Sequence, residues 1–471
     1  MKRFLNIILV LIAVFILVGC KGKDDDKIKI TIGMWPDEVK AQDVAMFNEW
    51  KRKFEEDYPQ YEVVGQPYDY NVDTFTFLAN TGQIPTVFQT WFTEPQKLIK
   101  NKYVKDITDM LKELGWYDKM DPDMRDALSQ DGRVYGVPRD GYGLGLFLNL
   151  KVFQEAGILD DFDGDGDIDI HDENGKPLYP TTFEEVKEVS IQISNELEDV
   201  AGFMVLSASK QGGWQYTNIA WNFGATLEIN ENGKWKSNLN SPEAVAALEW
   251  IQSMKHEYEV LPNEVSLAYN DCWPKIGQEA VAMCIVGSDA ISTAYTNMNL
   301  PTTYPFAFVP MPAGPQGHQY SLFGGTPFMF SSRASDEQVM GALRFLEYMG
   351  RSPELSDVSK QAIEEGMKVA VNKGMPILPD IKPWINEDYI EYKEELEQLY
   401  CNVNMDYFKD FYAKFDEMKH TEEPFASQDL YTVLDSVIQK ILDPSGAQQE
   451  ASSVLASANA KFQTDYLDKQ S

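Results

Sequence analysis

An α/β fold is predicted by three observations. Apolar strand patterns alternate with amphipathic helical patterns along the chain. The 471 residues are 44% hydrophobic, ample for large cores. Beyond the first twenty residues no stretch is apolar enough to span a bilayer, which takes about 20 residues. At roughly 100 to 200 residues per domain, the length implies two large lobes or three small ones.

The elements follow in order. Ile28, Ile30, Ile32 and Met34 alternate with Lys29, Thr31 and Gly33, the period of a strand. Val44, Phe47, Trp50, Phe54 and Tyr58 recur at helical spacing, and Pro59 ends that helix. Tyr61 to Val64 and Ile84 to Phe88 read as further strands. In the middle of the chain, Phe183 to Leu197 is a helix opened by Thr181 or Thr182, with Glu184 and Glu185 in its first turn. Gly202 to Leu206 is a strand. Ser241-Pro242-Glu243 opens another helix. Tyr304 to Val309 is a strand, and from about residue 335 onward the pattern is mostly helical. Strand–helix alternation predicts a sheet with helices on both faces.

Lys2 and Arg3 precede an apolar run from Ile7 to Val18, the layout of a signal peptide. Leu17-Val18-Gly19-Cys20 resembles a bacterial lipobox. The resemblance implies cleavage of residues 1–19, lipid on Cys20, a polar tether over 20–27, and a body held at the outer face of the cell membrane.

The 41 Lys and Arg against 74 Asp and Glu give a net charge of −33. Nucleic acid and anionic membrane surfaces would be repelled, whereas cations and neutral ligands would not. With 4 Cys and 4 His there is neither a disulfide framework nor a zinc pattern, although Cys272 and Cys284 are open to pairing.

Several segments together resemble the solute-binding proteins of ABC importers, in the branch that includes maltodextrin-binding proteins. They are Gly82-Gln83-Ile84-Pro85-Thr86-Val87-Phe88, Gly132-Arg133-Val134-Tyr135-Gly136-Val137-Pro138, the run from Leu146 to Gly157, Thr181 to Glu185, and Gly277 to Met283. Thr86 replaces the usual Asp, and residues 160–180 are inserted. The resemblance implies a periplasmic-binding-protein-like fold: two α/β lobes, a hinge, and an interlobe ligand cleft. Lobe one would be 28–147 plus 303–345, and lobe two 148–302 plus 346–471. The hinge crossings would fall near Leu146 to Asn149, near 300 and near 345.

Asp161, Asp163, Asp165, Asp167, Asp169 and Asp172 sit at the spacing of a calcium loop, with Gly166 at the turn position. Asp167 would offer its carbonyl, and Asp172 stands where Glu is usual. So many carboxylates repel unless a cation neutralises them. Structural calcium is the expected cofactor. The insertion resembles the calcium loop of alginate-oligosaccharide-binding members of the family.

Sugars present C–H faces that stack on aromatic rings and hydroxyls that need polar partners. Candidate ligand residues lie after strand patterns, where open α/β sheets bind. In lobe one they are Trp35, Asp37, Glu38, Asp69, Tyr70, Trp91, Glu94, Arg139, Asp140 and Tyr142. In lobe two they are Trp214, Trp221, Asn222, Trp273 and Asp289. Gly325, within Gly324-Gly325-Thr326, is a backbone approach point; Trp384 and Phe425 are further candidates. Trp50, Trp116 and Trp250 read as packing residues.

The leading expectation is a monomeric, non-catalytic protein that captures an oligosaccharide, neutral by preference given the net charge, for an ABC importer. A uronic-acid oligosaccharide is the alternative ligand class. A glycan-active enzyme drawing its acid/base pair from Asp37, Glu38, Asp69, Glu94 and Asp140 is a rival, as is a peptide-capturing or adhesive lipoprotein.

Overall fold

The computed structural model describes residues 27–423 and 425–470. Cys20, the signal segment and nearly all of the tether lie outside the described residues. Among the described residues, no helix is long and apolar enough to cross a membrane.

Two lobes share a nine-stranded sheet. In the first, Ile28–Ile32 runs parallel to Tyr61–Gly65 on one side and to Val87–Gln89 on the other. Its alternation buries Ile30 and Ile32. Helix Ala41–Asp57 lays Trp50 and Phe54 against that sheet. Gly82 ends helix Val72–Thr81 in the left-handed conformation (φ 74°), which glycine adopts without Cβ strain.

The 14-residue strand Gly136–Asn149 ties the lobes together. Gly136 to Gly143 pairs antiparallel with Ser321–Phe330 in lobe one. Leu144 to Asn149 pairs with Val281–Gly287 and Phe306–Val309 in lobe two. The change of partners at Gly143/Leu144 lies a few residues before the expected crossing. A bulge opposite Thr326/Pro327 leaves Arg139 outside the ladder, between paired Pro138 and Asp140.

In lobe two, Ala201–Met204 completes the sheet beside Val281–Gly287. The predicted caps form: Thr182 and Glu185 make a capping box, and Ser241 accepts from the Ala244 amide with Pro242 in the first turn.

The lobe boundaries differ from the expected ones. Phe306, Ala307, Phe308 and Met311 pack in the core of lobe two, although residues from 303 were assigned to lobe one. Ala362, Ile363, Trp384, Tyr389 and Leu396 pack in the core of lobe one, although 346–471 was assigned to lobe two. The chain returns to lobe one along Ser321–Phe330. Helices Asp357–Asn372 and Glu387–Tyr400 pack there, Leu378 and Ile381 between them touch the other core, and Tyr407 joins that core. Helical periodicity shows that a face is buried, not which core buries it.

Candidate functional site: the interlobe cleft

Strand ends from both lobes converge on an inner chamber of about 310 Å3. Trp91 follows strand Val87–Gln89, meets Tyr70 edge-on at 5.4 Å and is still 43% exposed, which leaves much of its indole open to the chamber. Tyr142 projects from the long strand into the space left by Gly324, where a Cβ would lie 2.5 Å from its ring. Trp214 stands on the first turn of helix Gln211–Asn222 and meets Tyr142 and Tyr269 edge-on at 6.1 and 5.8 Å. Asp289 follows strand Val281–Gly287, whose last amide donates to the Tyr269 hydroxyl at 2.6 Å.

Burial, reinforced by Asp140, raises the Asp289 carboxyl to about 6, against the pull of Arg139. Burial raises Glu422 to about 7, although the Tyr431 hydroxyl donates to it at 2.8 Å. Asp289, Glu422 and Lys210 line the same chamber as the rings. Poorly solvated acceptors beside aromatic faces suit a polyhydroxylated ligand, whose hydroxyls donate while its C–H faces stack.

An outer chamber of about 780 Å3 adjoins the inner one. Lobe one lines it with Thr93, Glu94, Gln96, Lys97, Lys100, Asn101 and Gln130; lobe two contributes Trp235, Phe425 to Asp429 and Lys469. Thr93 and Gln428 line both chambers, and the Gln428 amide donates across the cleft to the Thr93 hydroxyl at 3.1 Å. Glu94, fully buried at its side of the chamber, accepts from the Tyr70 hydroxyl; burial first of all raises its carboxyl.

The cleft thus gathers Trp91, Tyr142, Trp214, Asp289 and Glu94, with Tyr70 holding Glu94. The other candidates fall elsewhere. Trp35 covers Gly65, where a Cβ would come within 2.2 Å of its ring, and packs on Phe47. Asp37, Glu38 and Asp69 are exposed and line neither chamber. Arg139 pairs with Asp140 at 2.9 Å, and Asp140 also accepts from the Thr326 amide at 3.2 Å; neither side chain lines the chambers.

Trp221 is buried, donates to Glu423 at 2.9 Å and lies 4.1 Å from the His420 ring. Asn222 is buried, accepting from the Tyr320 amide and donating to its carbonyl. Trp273 is core, edge-on to Phe147 and Tyr269. At Gly325 a Cβ would meet the Asp140 carbonyl at 2.4 Å, so that glycine serves strand packing, not ligand approach. Trp384 is buried against Trp116 at 5.8 Å.

Thr93, Lys210, Tyr269, Glu422, Gln428 and Tyr431 were not anticipated. Thr93 sits between the anticipated Trp91 and Glu94, and Glu422 follows the short strand Lys419–Thr421, which the sequence did not mark; Lys210, Tyr269, Gln428 and Tyr431 lie at or near helix starts distant in sequence.

In the acidic insertion, carboxylate oxygens of Asp161, Asp163 and Asp169 lie within 4.8 Å of one another. Backbone amides fold the loop around them: Gly164 and Gly166 donate to Asp161, Asp165 donates to Asp163, and Phe162 donates to Asp169. Gly166 takes φ 102°, as its turn position requires. Asp172 lies outside this triad; its carboxylate accepts from the amides of Asn174 and Lys176 in the following turn. The Asp167 side chain accepts from Asn404 at 3.0 Å, and Asp165 accepts from the Asp167 amide. Three oxygen donors of this kind fit a hard cation.

Two lobes joined by a shared sheet, with a polar and aromatic cleft between them, define the class of the fold. A structure with the same fold is an ABC substrate-binding protein of Listeria monocytogenes in complex with cycloalternan (TM-score 0.67, 14% identity, 93% of this chain and 99% of that one). Another is the GacH receptor of Streptomyces glaucescens, solved unliganded and with acarbose (TM-score 0.65, 17% identity, 93% and 99%). A third is UgpB of Mycobacterium tuberculosis with glycerophosphocholine (TM-score 0.67, 13% identity, 94% and 99%). The family described as bacterial extracellular solute-binding protein matches residues 49–375, and the chain belongs to it. Brucella abortus and Brucella suis chains named as candidate binding proteins are 24% identical over 221 residues, 46% of this chain and 47% of theirs. The chain thus spans about half the length of these curated relatives.

Proposed function

We propose that the protein captures a neutral oligosaccharide outside the cell and delivers it to an ABC importer without altering it. The observation that carries this is the inner chamber, where Trp91, Tyr142, Trp214 and Tyr269 surround Asp289 and Glu422 between two lobes. Family membership supports a solute-binding role, and cycloalternan and acarbose in structures of the same fold support a sugar. Glycerophosphocholine in a third makes the choice of ligand a matter for this site and not for the fold. Binding in place of catalysis is favoured by the family, and of the carboxylates weighed as an acid/base pair only Glu94 lines the cleft. A monomer anchored through lipid on Cys20 completes the proposal, with structural calcium in the insertion held by Asp161, Asp163 and Asp169.

A uronic-acid oligosaccharide is the second reading, because Lys97, Lys100 and Lys469 gather at the outer chamber of a chain that carries −33.

Calorimetry of the mature protein against neutral and uronic oligosaccharides tests the proposal, with labelled glycan followed for products. We expect binding without cleavage, and a loss of about tenfold or more in affinity for Trp214→Ala. Cleaved glycan, or tight peptide binding with no saccharide signal, would overturn it. Preference for the uronic series would select the second reading.

A further inference from the structure

We infer that the ligand is a saccharide chain long enough to fill both chambers, its outward unit lying on a face built by Trp235 and Phe425. This rests on the saccharide reading above and specifies the ligand's length. The inner chamber of about 310 Å3 is at the small end for ligand pockets, which run from about 300 to 1,000 Å3. The outer chamber is more than twice as large, at about 780 Å3, and shares Thr93 and Gln428 with the inner one. The Gln428–Thr93 hydrogen bond lies where they meet, and it joins two neutral groups that sugar hydroxyls can replace.

The wall of the outer chamber has the form that a sugar ring needs. Trp235 and Phe425 both line the chamber as a stacked pair, their planes 12° from parallel and their centroids 5.9 Å apart, so each ring holds the other in place. Lys100 lies 5.7 Å from the Phe425 centroid.

Trp235 sits on a two-stranded hairpin, Glu228–Glu231 with Lys234–Ser237. This small sheet is separate from the main one and is mostly exposed. It is nonetheless fixed. The Ser237 amide donates to Gln463 at 2.8 Å and its hydroxyl to Asn459 at 2.6 Å, while Gln463 donates to the Trp235 carbonyl at 3.4 Å. A preorganised aromatic face spends little ordering entropy on binding. Thr93, Gln96, Lys97 and Asn101 of lobe one line the same chamber. A chain that reaches this chamber therefore touches both lobes twice, and each added contact favours the closed state.

The experiment is calorimetry of the mature protein with malto-, cello-, xylo- and manno-oligosaccharide ladders, each from the monosaccharide upward. For the ladder that binds, affinity should rise with length. Trp235→Ala should lower the ratio of long-chain to short-chain affinity about tenfold, whereas Trp214→Ala should weaken every length alike. Phe425→Leu should lower the same ratio, and it stands in should Trp235→Ala fail to fold. A monosaccharide bound as tightly as its longest homologue would overturn the inference, as would variants that keep the wild-type ratio. Those results leave saccharide binding by the unaltered protein intact. Silence of the unaltered protein on every ladder, and on a uronic-acid ladder run beside them, would instead remove the saccharide reading itself, and this inference with it.

Discussion

Glu228 shows what burial does to a single residue. It is 4% exposed at the start of the hairpin. Burial, reinforced by the neighbouring Glu423, raises its carboxyl from the ordinary 4.5 to about 9, opposed by the Phe425 backbone. The native state therefore keeps a proton that the unfolded chain releases near 4.5. The stability this confers is complete below about 4.5 and is lost as pH rises toward about 9. The slope approaches about 1.4 kcal/mol per pH unit when one whole proton separates the states. Glu228→Gln should flatten that decline and raise stability at mildly alkaline pH. Chemical denaturation across this range checks it; parallel curves for the two proteins would contradict it. Nothing in the sequence marks Glu228, which reads as one more acid in an acidic chain. Trp214, Trp91 and Asp289 were legible because they follow or face strand ends. Trp221 and Trp273 look the same in sequence, but they occupy helix faces turned to the core, and the sequence does not say which face turns where.

At the scale of the element, the acidic insertion and the hairpin make an instructive pair. The insertion was read from spacing alone, because alternating Asp with Gly at the turn has few other uses. Its attachment to lobe two was expected; most of the contacts that make it were not. Ile168, Ile170 and Tyr179 enter the lobe-two core, and Asp410 accepts from Tyr179 at 2.5 Å and pairs with His171 at 2.6 Å. A cation on Asp161, Asp163 and Asp169 would relieve their mutual repulsion and so stabilise the native state. Calcium at a hundredfold excess over its Kd adds about 2.7 kcal/mol. Chelator should therefore lower the melting temperature by several degrees, calcium should restore it, and Asp161→Ala should abolish the response. A melting temperature indifferent to both, with no metal by elemental analysis, would remove the site. The hairpin was missed although its turn is legible: Asn232-Gly233, both at positive φ, is a two-residue hairpin turn between Glu228–Glu231 and Lys234–Ser237. Its role emerges only where Trp235 meets Phe425, far along the chain.

For the whole molecule, the decisive feature is a strand that belongs to two lobes. Gly136–Asn149 pairs with lobe one over its first half and with lobe two over its second, so a small rotation near Gly143 moves one lobe against the other. Ligand contact with both lobes should shift the population toward closure. Small-angle scattering should show a smaller radius of gyration with a saturating oligosaccharide than without one. Superimposable profiles, with binding confirmed by calorimetry, would mean a preformed rigid cleft.

The sequence by itself determined the α/β class, the order of the principal strands and helices, the acidic loop and several of the cleft aromatics. Those follow from local rules: period, caps, turn residues and ligand spacing act over a few neighbours. Only the tertiary structure decided where the lobes divide, which Trp residues face the cleft, and that residues 93, 235 and 425 line one chamber. Such choices depend on contacts between segments hundreds of residues apart, where the free energy of burial is the same for any apolar face and only the assembled geometry selects among them.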